Sequence, residues 1–493
     1  ISLYSTRKAA WSMLSYLTRL NWSYNDTYTF TGTFRADGSS RFGAKNRWGI
    51  FPSVSAGWTV TNEQFIKDII PSGTSLRLRA SWGKSGNNDI GNYSAIAAIS
   101  SGAYAFGNTA VSTAYEGSFV DEGLGWETTT QTNLGFDLGL FGDRVNLIGN
   151  WYNSISSDIL YSQPISSISG SSSTQTNLSG AKIRNRGFDL QLDTRILQGV
   201  VDWTVSANVS VNRNKVVDMG GLDDIISVTE RSVGSHITKE GYPIGSFYGY
   251  KAIGIMSEAD YYNALIDRQV YVANGNSFPE GYTLRGPAQN NYDLANLSYG
   301  NVIWEDVNGD NLITTDDKQV LGDAYPDLTG GFSTSLRWNG IDFSANLTYS
   351  IGAEVINFHD YYCYNMEGSG NQYVCVADRY ISDANPGKNN IPLAERHSTT
   401  NTNNKLPSYY VEDASYLRLA NVTLGYTLPK ALVEKVKVSN VRVYVSGDNL
   451  FCISPYRGYN PEISYKSSNL MPGFDWGGYP LSRIVSGGVN ITF

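Results

Sequence analysis

The chain has 493 residues, of which 41% are hydrophobic and only 17% charged, with a formal net charge of −8. That balance excludes an electrostatic nucleic-acid binder. No run of about 18 apolar residues occurs, so no transmembrane helix is expected, although strands can also cross a bilayer. The opening stretch ISLYSTRKAAWSML lacks the basic, apolar and small-residue blocks of a secretory signal.

In chain order, period-two alternation recurs in about thirteen segments, near residues 12–24, 27–36, 47–61, 75–84, 126–140, 143–153, 183–195, 200–214, 327–338, 341–351, 415–428, 440–450 and 480–493. In VDWTVSANVSVN, Val201, Trp203, Val205, Ala207, Val209 and Val211 share one face, and polar residues fill the other. Many segments reach about ten residues, longer than the ~5–6 of a soluble strand and close to the ~9–11 that cross a bilayer. The connections alternate in length. Asn25-Asp26, Phe141–Asp143, Leu197–Gly199 and Asn339-Gly340 are short, and Asn-Gly is a strong hairpin signal. Thr61–Gly73 and Pro429–Ser439 are medium and can each hold a short helix. Residues 85–125, 154–182, 215–326, 352–414 and 451–479 are long, and only the connection near Asp37–Asn46 breaks the rule. Short periplasmic turns and long extracellular loops are the mark of a membrane barrel. The expected fold is therefore all-β, a transmembrane antiparallel β-barrel. Residues 215–326 and 352–414 are its chief extracellular loops.

The chain ends SGGVNITF, with Val489 and Ile491 on one face and a terminal Phe493. This resembles the assembly signal of bacterial outer-membrane proteins. An odd number of strands cannot close an antiparallel barrel, and open edges are not tolerated in lipid. The expectation is the C-terminal part of a larger barrel, with N-terminal strands elsewhere.

Five ordered stretches, FRADGSSRFGAKNRWGIFPSVSAGW (34–58), GYPIGSFYGYKAIGIM (241–256), the acidic stretch and hairpin at 304–344, YLRLANVTLGYTLP (416–429) and VRVYVSGDNLF (441–451), resemble SusC/RagA-like TonB-dependent outer-membrane transporters of the Bacteroidota. The resemblance implies a 22-stranded barrel, a plug domain, a SusD-like lipoprotein lid over the outer mouth, and TonB-energised import of oligosaccharides or peptides. Plug, N-terminal strands and TonB-contacting segment are not found in this chain. The alternative is a passive porin or adhesin-like barrel without energy coupling.

The stretch WEDVNGDNLITTDDKQVLGD (304–323) has the spacing of an EF-hand-type loop. Asp306, Asn308, Asp310, Leu312 (by its carbonyl), Thr314 and Asp317 fall at positions 1, 3, 5, 7, 9 and 12. Asn311 replaces the usual glycine and tolerates left-handed geometry. A structural Ca²⁺ is one expectation, and an acidic loop closed by Asx turns is the other. No redox cofactor is expected. Aromatic groups in the long loops, Phe247, Tyr248 and Tyr250 among them, suit ligand contact or loop packing, and the candidates for substrate contact are Tyr361, Tyr362, Tyr364, Tyr409 and Tyr410. Cys363 and Cys375 are a candidate disulfide, with free thiols the alternative. His236, His359 and His397 form no metal-spaced motif, and no nucleophile elbow or P-loop occurs, so no enzyme is expected. Arg77, Arg79, Asp137, Asp189, Gln191 and Asp193 lie on the polar strand face and need a wet lumen or a plug to contact.

Overall fold

The computed structural model describes residues 9–493 except 68, 98, 117–118, 167, 169–170, 172, 230–232, 291, 293, 295–296, 365–369, 389–390, 395–404, 434–437 and 465–467. The chain divides into two compact units. One comprises Ile1–Asp223 with Phe332–Asn339, the other Asp224–Gly331 with Gly340–Phe493.

Eight long strands build the first unit: β1 Met13–Tyr24, β2 Tyr28–Ser39, β3 Trp48–Thr59, β4 Ser75–Asn87, β5 Glu127–Leu140, β6 Val145–Pro164, β7 Ser173–Leu197 and β8 Val201–Asp218. Each pairs antiparallel with the next. The register carries the alternation across the sheet. Trp22, Phe30, Ala56, Ala80, Leu134, Trp151, Phe188 and Val211 are successive cross-strand partners. Trp22, Phe30, Leu134, Trp151 and Phe188 are all exposed. A row of exposed apolar side chains, large ones interrupted only by Ala56 and Ala80, does not suit water, but it suits lipid. One residue along, the opposite face holds Arg79, Gly135, Asn150, Asp189 and Ser210.

After β9 (Leu328–Trp338), the second unit carries β10 Ile341–Ile351, β11 Tyr416–Thr427, β12 Asn440–Ile453 and β13 Ile484–Thr492. Phe343, Leu424 and Val445 align on one face, with Tyr426, Val443 and Val489 beside them. Every segment expected from alternation is thus a strand. Short connections take the backbone their residues favour. Asn25 and Asp26 have φ of 49° and 52°, and Asn339 and Gly340 of 46° and 82°. Paired left-handed residues match the right-handed twist of the flanking strands. Both medium connections hold one helical turn, Gln64–Lys67 and Lys430–Val433.

The long connections differ from the expectation of plain loops. β6 and β7 run on through most of 154–182, with a register shift between Leu178 and Lys182. Their extensions carry Ser, Thr and Asn on both faces. A strand wet on both sides needs no alternation, so periodicity could not reveal it. Residues 85–125 hold a hairpin, Ile99–Phe106 with Thr109–Glu116. Phe42, Ile90 and Leu124 pack beside Trp126 as a small core in the first unit.

In the second unit, residues 215–326 contribute a four-stranded sheet of Ile225–Val228, Gly234–Thr238, Ser246–Gly249 and Gln319–Gly322. They also hold a helix, Glu258–Ala273. Ser257 caps it by accepting from the Asp260 N–H, and Asp260 returns the bond. Its inner face, Ala264 and Tyr271, packs on Tyr292 and Leu297. The main loop core joins Val233, Phe247, Ile356, Phe358, Leu406, Tyr410 and Phe474.

Candidate functional site

The polar strand face is hydrogen-bonded across strands. Arg79 forks onto Asp137, Nε to Oδ2 at 2.9 Å and Nη2 to Oδ1 at 2.7 Å, and also donates to Asn150 Oδ1 at 3.0 Å. Arg77 Nη2 donates to Thr29 Oγ1 at 3.1 Å. Asn133 donates to Ser81 at 3.2 Å, and Thr31 to Asn21 at 3.0 Å. Ser210 donates to Asp189, and Gln191 to Asp193 at 2.7 Å. A concavity of about 450 Å³ includes Asn21, Thr31, Arg77, Arg79, Asn133 and Asn150 in its lining. Tyr152 reaches across Gly187 to Asn212, 3.0 Å away. A Cβ at Gly187 would sit 2.4 Å from the Tyr152 hydroxyl, so only glycine leaves that path open. In the second unit, Arg442 forks onto Asp342 over Gly425, where a Cβ would meet both side chains. Such a wall presents fixed donors and acceptors to water or a polar ligand. Arg77, Arg79, Asp137, Asp189, Gln191 and Asp193 were legible from alternation. Asn133, Asn150 and Ser210 share the same phase, but their partnerships depend on register.

The five loop tyrosines separate by burial. Tyr410 is 0% exposed within the loop core, and Tyr361 and Tyr409 pack against that core. Tyr364 is buried with Val376 and Ile391. These four support the loop core, and Tyr410 presents no surface to a ligand. Tyr362 alone of the five is exposed, edge-on to Tyr361 and Trp476. Phe247 and Tyr250 are buried, and Tyr248 is half-buried. Tyrosine density marked a core here because long loops with no lipid beside them must bury apolar area against each other.

The acidic loop closes on its own amides. Asp306 accepts from the Gly309 and Asn311 N–H groups at 2.7 and 2.9 Å. Asp310 accepts from Leu312 N–H at 2.8 Å and from the Asn308 amide at 3.0 Å. Asp317, fully buried, accepts from Val307 N–H at 2.9 Å and Thr314 N–H at 2.7 Å. Thr314 Oγ1 accepts from Asp316 N–H. Asn311 has φ 70°, as position 6 of the spacing demands. Yet among the described residues no three acidic, His or Cys side chains converge as a metal set. The side chains of Asp306, Asn308, Asp310, Thr314 and Asp317, with the Leu312 carbonyl, keep the calcium-type spacing, while the three carboxylates are engaged by donors of the loop itself. The geometry is that of the Asx-turn loop.

Cys363 and Cys375 stand in the structure as free thiols. The Cys363 carbonyl accepts from Tyr373 N–H at 3.0 Å, and Cys375 packs beside Tyr364, Val376 and Ile391. His236 is fully buried. Its Nδ1 accepts from Ser235 Oγ at 2.7 Å and its Nε2 donates to the Pro472 carbonyl at 2.9 Å. Burial, partly offset by that carbonyl, pushes its pKa down to about 4. His359 faces Asp475 at 3.9 Å, while His397 lies outside the described residues. Val489 and Ile491 project from β13 as exposed side chains opposite Val443 and Val441, and Phe493 is 89% exposed.

Comparison with known proteins gives this arrangement a context. The family model described as TonB dependent receptor-like, beta-barrel matches residues 5–450. TonB-dependent receptor P3 of Formosa agariphila is 32% identical, over 98% of this chain and 45% of that protein. TonB-dependent receptor SusC of Bacteroides thetaiotaomicron is 28% identical, over 99% of this chain and 44% of that protein. Among solved structures, the RagAB peptide transporter is similar with a TM-score of 0.77 at 25% identity, over 98% of this chain and 47% of that chain. The chain thus spans about half the length of the relatives it matches. The family match over most of the chain, on long antiparallel strands with an exposed apolar row and a bonded polar face, places the chain in the TonB-dependent receptor-like β-barrel family, as a SusC/RagA-like member.

Proposed function

We propose that this barrel serves an outer-membrane importer of a Gram-negative bacterium of the Bacteroidota. It takes up oligosaccharides or peptides with energy from TonB and works beneath a SusD-like surface lipoprotein. The likeness to the RagAB peptide transporter along nearly the whole chain is the observation that carries the reading. Under it, the apolar row of Trp22, Phe30, Leu134, Trp151 and Phe188 faces lipid. The Arg79–Asp137–Asn150 wall faces the lumen, and the loop core of Phe247, Phe358 and Phe474 lies on the outer surface. The relatives carry receptor and transporter names, which favours transport over catalysis.

The test uses the native complex purified in detergent and the intact bacterium. A surface lipoprotein should co-purify, and mass spectrometry of bound ligand should separate glycan from peptide. Uptake of that ligand should stop when a protonophore collapses the energy supply to TonB. Uptake that persists would instead support a passive porin.

A further inference from the structure

A single guanidinium serves two carboxylates in the loop assembly of the second unit. Arg457 Nη2 lies 2.6 Å from Asp360 Oδ2 and 2.5 Å from Glu412 Oε1. Glu412 is well supplied with donors. Its Oε2 accepts from the Arg457 backbone N–H at 3.0 Å, and its Oε1 also from Asn357 Nδ2 at 2.8 Å. Asp360 is not. It is 0% exposed, and its Oδ1 has no hydrogen-bond partner among the described residues. The buried Asn357 Oδ1 is likewise unpartnered. A third carboxylate, Asp475, is held apart. It accepts from the Tyr456 hydroxyl at 2.5 Å and from the Gly477 and Gly478 amides at 2.8 and 3.2 Å.

Charge decides how this cluster is occupied. With Asp360 and Glu412 both ionised, the half-exposed Arg457 leaves a net negative charge shared with a fully buried Asp360 carboxylate, which is costly. One proton restores neutrality. Three donated bonds favour the ionised form of Glu412, whereas the unpartnered oxygen and full burial of Asp360 favour its acid form.

We propose that Asp360, Glu412 and Arg457 form a proton-dependent clasp. It ties the segment at Asn357–Cys363 to Val411–Asp413 and to Tyr456–Arg457 while Asp360 carries a proton, and it loosens once that proton is released to solvent. Burial, opposed by Arg457 and reinforced by Glu412, pushes the Asp360 carboxyl up to about 7. Because the folded value lies above the unfolded one, the linked stability is fully present below the ordinary carboxylate range. It is lost as pH rises and is gone above about 7. The other ionisable groups facing the cluster are His359, Asp475, Cys363, Tyr364, Tyr373 and Tyr456. The thiol and the three phenols are pushed up, chiefly by burial, and stay neutral across this window.

Hydrogen exchange of the native complex, corrected for intrinsic rates, tests the clasp in peptides covering 354–364 and 454–458. Between pH 5.5 and 8.0 the local opening equilibrium should rise about thirtyfold in the wild type. Asp360→Asn, which mimics the neutral acid, should hold its protection at both pH values. Glu412→Gln leaves Asp360 as the only carboxylate on Arg457 and should shrink the fall, with burial of Asp360 supplying the remainder. His359→Gln should keep the wild-type profile. Equal wild-type protection at the two pH values, an Asp360→Asn profile that falls like wild type, or a His359→Gln profile that goes flat would each overturn the proposal.

Discussion

Replacing Asp317 should open the acidic loop without any change of metal content. The side chain is fully buried, and each of its oxygens accepts one backbone N–H, from Val307 at 2.9 Å and Thr314 at 2.7 Å. Asp317→Ala strips both amides of their acceptor. At about 1–3 kcal/mol for each buried group left unpaired, with water recovering part of the loss, the expected local destabilisation is about 2–4 kcal/mol. That corresponds to roughly thirtyfold faster exchange or more for the amides of 305–318. Asp317→Asn keeps one acceptor oxygen and should cost about half as much. Asp317→Glu discriminates most sharply. A calcium loop favours a bidentate glutamate at position 12 and would tighten, whereas a carboxylate already fitted between two amides has no room for another methylene, and the loop should loosen. Hydrogen exchange of the native complex, with and without chelator, reads all three. Tightening by Asp317→Glu, or a chelator-induced loss of protection at 305–318, would refute the amide-closed loop and restore the ion.

Tyr410→Ala should destabilise the loop assembly by about 3–5 kcal/mol, seen as faster proteolysis of 352–414, because it empties a fully buried ring site. Tyr362→Ala, at an exposed ring, should change stability by less than about 0.5 kcal/mol, so any loss of ligand uptake there would report contact rather than folding. His236 is held neutral with its pKa lowered to about 4. Its contribution is present above the ordinary histidine range and is lost as pH falls from about 6.5 toward 4. His236→Gln should therefore flatten the acid side of the exchange profile of 234–238, and an unchanged acid limb would rule out His236 as its source. Asp137→Asn removes the Arg79 fork, but both side chains are 37% exposed, so the barrel should lose no more than about 1 kcal/mol and keep its thermal transition.

How far the sequence could be read depended on what each face touches. Where one face meets lipid and the other water, as along Val201–Val211, alternation exposed strand, phase and polar partners together. Turn chemistry placed Asn25-Asp26 and Asn339-Gly340 for the same local reason. The strand extensions at 154–182 were hidden because Ser and Thr occupy both sides. The loop core was hidden because it joins Val233, Phe358 and Phe474 from three separate connections, and no local period encodes that meeting. Tyr410 therefore read as a candidate ligand contact although it lies wholly within that core. Asp360, Glu412 and Arg457 carried no signal at all, since their chemistry exists only once distant segments meet.

The same loop core constrains the order in which the molecule can be made. Val233 and Phe474 belong to one cluster, and Ile356 and Leu406 lie between them in sequence. Until the segment bearing Phe474 has emerged, the apolar side chains of the earlier connections have no final partner. The strands can zip neighbour to neighbour, but this cluster must wait for almost the whole chain. Its sequence separation makes it a late and slow step. A variant that weakens the core without touching a strand should therefore accumulate as an inserted barrel with protease-sensitive loops, a species distinct from an assembly failure.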